Sequence, residues 1–163
     1  MQIILKNKDT LLFDEFKFKC SIGKKGITSN KIEGDLKTPR GIYSLGSLFY
    51  RKDKFPNLET KLKKISINKT MGWCDDVNSK YYNKLININN KIKHEKMFRK
   101  DQIYNLVIPI NYNTKNPIKD KGSAIFIHIT KNYEKTKGCI SLKKKDLLIL
   151  LKLINKRTII KIC

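Results

Sequence analysis

Cys139 and His128 are the side chains in this 163-residue chain best suited to covalent chemistry, and ten residues separate them. A thiolate attacks an acyl carbon, and an imidazole within reach takes the thiol proton and later returns it. Taken singly, each residue has a plainer reading. A lone Cys is usually a small buried hydrophobe, and a lone His in a strand is usually a satisfied core residue. Their pairing across one corner of the chain is what suggests a site. Gly138 frees the backbone just before the thiol. The amides around Cys139 could then face a developing oxyanion, a contact worth roughly 2.7–4 kcal/mol in acyl-transfer sites.

The elements around the pair set its geometry. Residues 124–129 are apolar on both faces except for His128, which reads as a buried strand. Residues 130–138 are a polar loop. Ser141 reads as a helix N-cap. Beyond it Leu147, Leu150, Leu151 and Ile154 fall on one helical stripe. On this reading Cys139 sits just before a helix start, where unpaired N–H groups stabilise a thiolate. Such a setting, with a nearby imidazole, lowers a cysteine pKa to about 3.5–7.5. Elsewhere, residues 2–5 and 11–22 read as an amino-terminal hairpin, and residues 23–41 as a glycine-rich loop region. Residues 42–48 read as a short strand, and 65–92 as irregular chain. Residues 104–112 read as a strand in which Pro109 signals an edge or a bulge. Residues 158–162 read as a last strand. The sum is a β-rich α+β fold with one main helix after the cysteine.

Composition narrows the class. The length fits one domain, residues 1–163, and 40% hydrophobic content is enough for a core. No stretch approaches the roughly 20 apolar residues of a membrane span. Residues 1–10 lack the basic start and the apolar run of about 7–15 residues of a secretory signal, so either the chain as written is cytoplasmic, or its true start lies elsewhere, or export uses another route. Cys20, Cys74, Cys139 and Cys163 are widely spaced, which argues against a zinc site and against a disulfide framework. The net charge of +22 suits a polyanion partner. Only Arg40, Arg51, Arg99 and Arg157 are arginines, and abundant Lys, Asn and Ile together also follow from A/T-rich codons. Nucleic-acid readers lean on Arg, so nucleic acid is not the expected partner. A basic binding module stands as the non-enzymatic alternative.

Three blocks of residues carry a family resemblance. His128, Thr136, Gly138 and Cys139 resemble the signature of the YkuD-type L,D-transpeptidases, in which a strand His precedes a Ser/Thr-x-Gly-Cys motif. Gly34, Asp35, Thr38, Pro39 and Gly41 resemble that family's Gly-Asp-x-x-Thr-Pro segment. Trp73, Cys74, Asp75, His94, Glu95 and Arg99 resemble a compact subgroup. The chain departs from the common pattern at Lys137, where a His is usual, and at Ser141, where an Arg is common. Its His-to-Cys spacing is also shorter than in many members.

The resemblance implies a YkuD-like sandwich or barrel and a cysteine acyltransferase without metal or cofactor. Cys139 would be the nucleophile and His128 the proton donor and acceptor, with Gly138 at the oxyanion. Thr136, His94, Trp73 and Tyr43 would contact substrate. The reaction implied releases D-alanine from a peptidoglycan stem peptide and passes the acyl group to an amine, giving a 3→3 crosslink. Transfer to water would make the same chain an L,D-carboxypeptidase. A peptidoglycan substrate implies the cell envelope, in tension with the missing signal. The expected state is a monomer.

Overall fold

The computed structural model describes residues 1–88 and 91–163. The amino-terminal segment is a three-stranded meander rather than a hairpin: β1 (Gln2–Asn7), β2 (Thr10–Phe13) and β3 (Phe16–Ser21). Alternating apolar residues make 11–22 look continuous. Asp14 breaks it by adopting a left-handed φ of 49°, which a short polar side chain tolerates.

β4 (Ile27–Thr28) and β5 (Thr38–Pro39) form a small parallel ladder of their own. β6 (Gly41–Ser44) and β7 (Leu48–Tyr50) divide the segment expected as one strand. β8 (Lys64–Ser66), β9 (Met71–Cys74) and β10 (Leu85–Asn87) occupy the stretch read as irregular, of which residues 89–90 lie outside the described residues. β11 (His94–Lys96) pairs with β9, so β10, β9 and β11 make a three-stranded sheet. β12 (Leu106–Pro109), β13 (Phe126–Thr130), β14 (Ile140–Lys143), α1 (Lys144–Leu153) and β15 (Ile159–Ile162) complete the order.

Ten strands join in the order β6-β15-β1-β2-β3-β14-β13-β12-β7-β8. This sheet must curl. In a flat sheet β6 and β7 would stand roughly 38 Å apart, yet the chain between Ser44 and Leu48 spans at most about 15 Å. The curled sheet and the single α-helix among the described residues match the β-rich α+β expectation.

One sequence expectation needs correction, and another is resolved between its two alternatives. Residues 140–143 are a strand, not the start of a helix. β14 pairs in parallel with β13 and antiparallel with β3, and those ladders outweigh the capping signal of Ser141. The helix begins at Lys144 without a side-chain cap. Pro109 is not on an edge strand, since β12 lies between β13 and β7. It lies opposite a bulge: Val107 pairs with Phe49 while Ile110 bridges Leu45, so the Leu45–Phe49 side carries one extra residue.

The expected helical stripe is real. Leu147, Leu150, Leu151 and Ile154 are fully buried and close the principal core with Ile127, Ile129, Ile140 and Leu142. Asp146 in the first turn and Lys152 in the last complement the helix dipole. Leu150→Ala should cost about 2–5 kcal/mol of stability, read by chemical denaturation. A cost near zero would contradict this packing.

Candidate active site

The parallel ladder between β13 and β14 builds the site. Ile127 lies opposite Ile140 and His128 opposite Ser141. Side chains alternate along a strand, so Ile127, Ile129, Ile140 and Leu142 enter the core. Phe126 and His128 on β13, with Cys139 and Ser141 on or beside β14, share the other face. Cys139, His128 and Ser141 line one cavity of about 610 Å³. Phe126 joins Trp73, Met97, Tyr104, Val107 and Cys139 in a second apolar cluster. The thiol therefore stands between oily packing and an open cavity.

Cys139 and His128 are each only 8% exposed. Cys139 Sγ donates to the Ala124 carbonyl at 3.2 Å and accepts from the Phe126 N–H at 3.4 Å. Burial pushes its pKa up to about 12, and the nearby Glu95 carboxylate adds to that. Burial also lowers the His128 pKa to about 4. Desolvation disfavours the charged form of each group, so the resting pair is neutral. This corrects the expected low-pKa thiolate: the cysteine precedes strand β14, and α1 starts only at Lys144. His128 Nδ1 lies 2.9 Å from the Ile129 carbonyl. A carbonyl only accepts, so Nδ1 carries the proton and Nε2 is left as a proton acceptor.

The loop carrying the thiol is fastened from two sides. Thr136 Oγ1 donates to the Cys139 carbonyl at 2.6 Å and accepts from the Gly138 N–H at 3.1 Å. The Thr136 backbone bonds to Ile22 and Lys24. Thr38, fully buried, donates to the Gly138 carbonyl at 2.8 Å and accepts from the Gly23 N–H at 3.0 Å. Gly138 has φ of 147°, and a Cβ there would come within 2.9 Å of the Lys37 carbonyl oxygen. Both of its backbone groups have partners in this structure, the N–H on Thr136 and the carbonyl on Thr38. Asp35 steadies the opposite loop by accepting from Lys31 Nζ at 2.6 Å and from the Ile32 and Lys37 amides. Burial alone would raise the Asp35 pKa, but those bonds outweigh it and hold the carboxyl below its usual range.

Three residues expected near substrate do not line the cavity. Tyr43 lies on edge strand β6, stacks edge-on against Tyr112 and donates to the Arg40 carbonyl. Trp73 is core: its ring meets Phe49 and Phe126, and its Nε1 donates to Asn83 at 2.9 Å. His94 packs its ring against Gly72 and bonds Ile92. Alternation along β11 puts its neighbour Glu95 on the cavity side instead. Ser141 lines the cavity, but its hydroxyl is spent on Ser21, which in turn donates to the Glu134 carbonyl.

Comparison with known proteins now decides the family. The pattern described as the YkuD L,D-transpeptidase catalytic domain matches residues 3–162. This chain belongs to that family. A search of curated proteins found no match. Among solved structures the chain resembles the K307A mutant of Pgp2, the helical cell shape determining protein of Campylobacter jejuni. The identity is 19% and the TM-score 0.50, over 99% of this chain and 45% of that one. The unmutated Pgp2 structure gives 18% and 0.49, over 99% and 46%. The chain thus spans less than half the length of those proteins, and the likeness speaks to the fold.

In this YkuD domain the cavity also holds residues that sequence reasoning assigned no role. Glu95 accepts from Tyr104 Oη at 2.7 Å, and Tyr104 packs its ring edge-on to His128 at 5.4 Å. Arg99 lies over the Tyr104 ring at 5.0 Å. Asp75 and Glu33 line the same space. The third block of the family resemblance contains Asp75, Glu95 and Arg99, but nothing local in it marks which side chains face a thiol. Among the described residues, no group of three or more His, Cys, Asp or Glu could hold a metal. No helix there is long and apolar enough to cross a membrane.

The low His128 pKa has a consequence for stability. The unfolded chain takes up this proton near pH 6.5, and the folded chain only near pH 4. Stability is full above pH 6.5 and falls by about 3 kcal/mol as pH drops to 4. Urea denaturation across that range should show the loss, and His128→Gln should remove it from the slope. Superimposable slopes would contradict the burial of a neutral imidazole.

Proposed function

We propose that this chain is a peptidoglycan L,D-transpeptidase acting in the cell envelope as one catalytic domain, with Cys139 as nucleophile and His128 as proton acceptor and donor. The observation that carries the reading is the shared cavity: in a chain matched as this family over residues 3–162, His128 lines it from β13 and Cys139 from the position just before the parallel strand β14. The helical cell shape role stated for Pgp2 fits a wall-modifying reaction.

Both groups rest neutral, so the proton leaves sulfur as the C–S bond forms, and no standing ion pair is needed. Sγ turns from the Ala124 carbonyl toward the peptide carbonyl that precedes the terminal D-alanine. His128 Nε2 takes the thiol proton and gives it to the departing D-alanine amine. A Cys139 thioester remains, and an amine of a second stem resolves it. Lys131, Lys135, Lys137 and Arg99 line the cavity and offer charge to the stem carboxylates. Thr38 and Thr136 hold the Gly138–Cys139 segment against that attack, and neither needs to touch substrate.

A stem tetrapeptide provides the test. The folded, reduced protein should release D-alanine and gain the mass of the acyl group. Cys139→Ala should abolish both, and His128→Ala should slow them by about 10²–10⁴-fold. Binding of anionic polymer that survives Cys139→Ala, with no acylation of the unmodified protein, would instead favour a basic binding module.

A further inference from the structure

One wall of the cavity is acidic although the chain carries +22. Glu95, Asp75 and Glu33 all line it. Glu33 is occupied, its Oε2 accepting from Ser123 at 2.8 Å and from Tyr82. Glu95 is not. Its two contacts, the Tyr104 hydroxyl at 2.7 Å and Arg99 Nη1 at 3.8 Å, both fall on Oε1. Among the described residues no hydrogen bond reaches Oε2. Asp75 Oδ1 is buried without a hydrogen-bond partner among the described residues, and its Oδ2 lies 3.8 Å from the exposed Lys93. A buried acceptor left unpaired costs stability. Asp75 Oδ1 is such an oxygen. The Glu95 side chain is 33% exposed, so its Oε2 opens to the cavity, and the long 3.8 Å contacts with Arg99 and Lys93 leave both carboxylates room for a further cation.

We propose that Glu95 receives the primary ammonium of the acyl acceptor and takes a proton from it, with Asp75 as a second contact and Tyr104 as the residue that positions the carboxylate. The inference rests on the transpeptidase reading and deepens it.

Chemistry makes the need plain. A side-chain amine is an ammonium near pH 7 and has no lone pair for attack. Glu95 takes one proton from R–NH3⁺ and becomes neutral. The R–NH2 so formed attacks the thioester carbon. The C–N bond forms, the C–S bond breaks, and the second amine proton passes through His128 to the departing sulfur. The products are an amide and the Cys139 thiol, and Glu95 returns its proton to water. Placement favours this role, because the Glu95 charge is felt at Cys139, and Tyr104 touches both Glu95 and His128. Burial raises the Glu95 pKa, against the pull of Tyr104 and Arg99, which makes it a better base than an exposed carboxylate.

The test compares two acceptors on the preformed acyl-enzyme. One is a stem tripeptide bearing a side-chain ammonium; the other is hydroxylamine, unprotonated at pH 7. In Glu95→Gln the ratio of tripeptide transfer to hydroxylamine transfer should fall at least tenfold, and Glu95→Asp should recover part of it. A second measurement needs no variant. The same tripeptide with a trimethylated side-chain nitrogen should suppress transfer in the wild type while thioester hydrolysis continues. An unchanged ratio, or equal losses with both acceptors, would overturn the proposal, as would indifference to the trimethylated peptide. A wild type that forms no acyl-enzyme at all would sink the transpeptidase reading and this inference with it. Failure confined to the acceptor ratio would sink this inference alone.

Discussion

The register of β13 against β14 is the constraint on which the site depends. With Ile127 opposite Ile140, alternation divides the two strands into an apolar face and a chemical face. A slip of one residue would send His128 into the core and Ile127 into the cavity. The apolar side resists that slip, because Ile127, Ile140 and Leu142 are completely buried there, against α1 and the curled sheet. Core packing thus aims the thiol and the imidazole without any direct bond between them.

Contacts distant in sequence then fix what the ladder cannot. Parallel neighbours usually need a long crossover, but β13 and β14 are joined only by the loop of residues 131–139. That loop would wander if Thr136 did not bond Ile22 and Lys24, and if Thr38 did not hold the Gly138 carbonyl. The glycine-rich segment of residues 23–41 and the cysteine loop are therefore one mechanical unit. This gives a physical meaning to two motifs that lie a hundred residues apart: one carries the reacting sulfur, and the other carries a hydroxyl that clasps the peptide beside it. Substrate contact is not required of Thr38, Thr136 or Gly138 to explain their places.

Elements with strong local signals were readable from sequence. The apolar run around His128 is a buried strand, residues 147–154 carry a helical stripe, and the last strand falls where expected. The fold class and the family followed from these and from the motif order. What failed was decided by pairing. Ser141 looks like a cap, yet Ile140 and Leu142 alternate with Ser141 and Lys143, and the partner strands β3 and β13 select the extended form. The short strands β10 and β11 have polar sequences that predict nothing alone. They become a sheet by pairing with β9, and only then does Glu95 turn toward the cavity and His94 away. Trp73 and Tyr43 were credible as cleft walls because aromatic residues serve core and site equally well. Pairing and packing, which no spacing reveals, bury Trp73 in the second cluster and set the half-buried Tyr43 against Tyr112 on edge strand β6.

Burial also sets the state of the nucleophile, and this is the central claim: the free protein keeps Cys139 as a thiol and His128 as a neutral imidazole. Site-resolved mass spectrometry of iodoacetamide alkylation, followed from pH 6 to 10, addresses it directly. With the thiol pKa pushed to about 12, the Cys139 rate should climb close to tenfold per pH unit without levelling. A rate that is already at its plateau by pH 7 would reveal a standing thiolate–imidazolium pair and contradict the account.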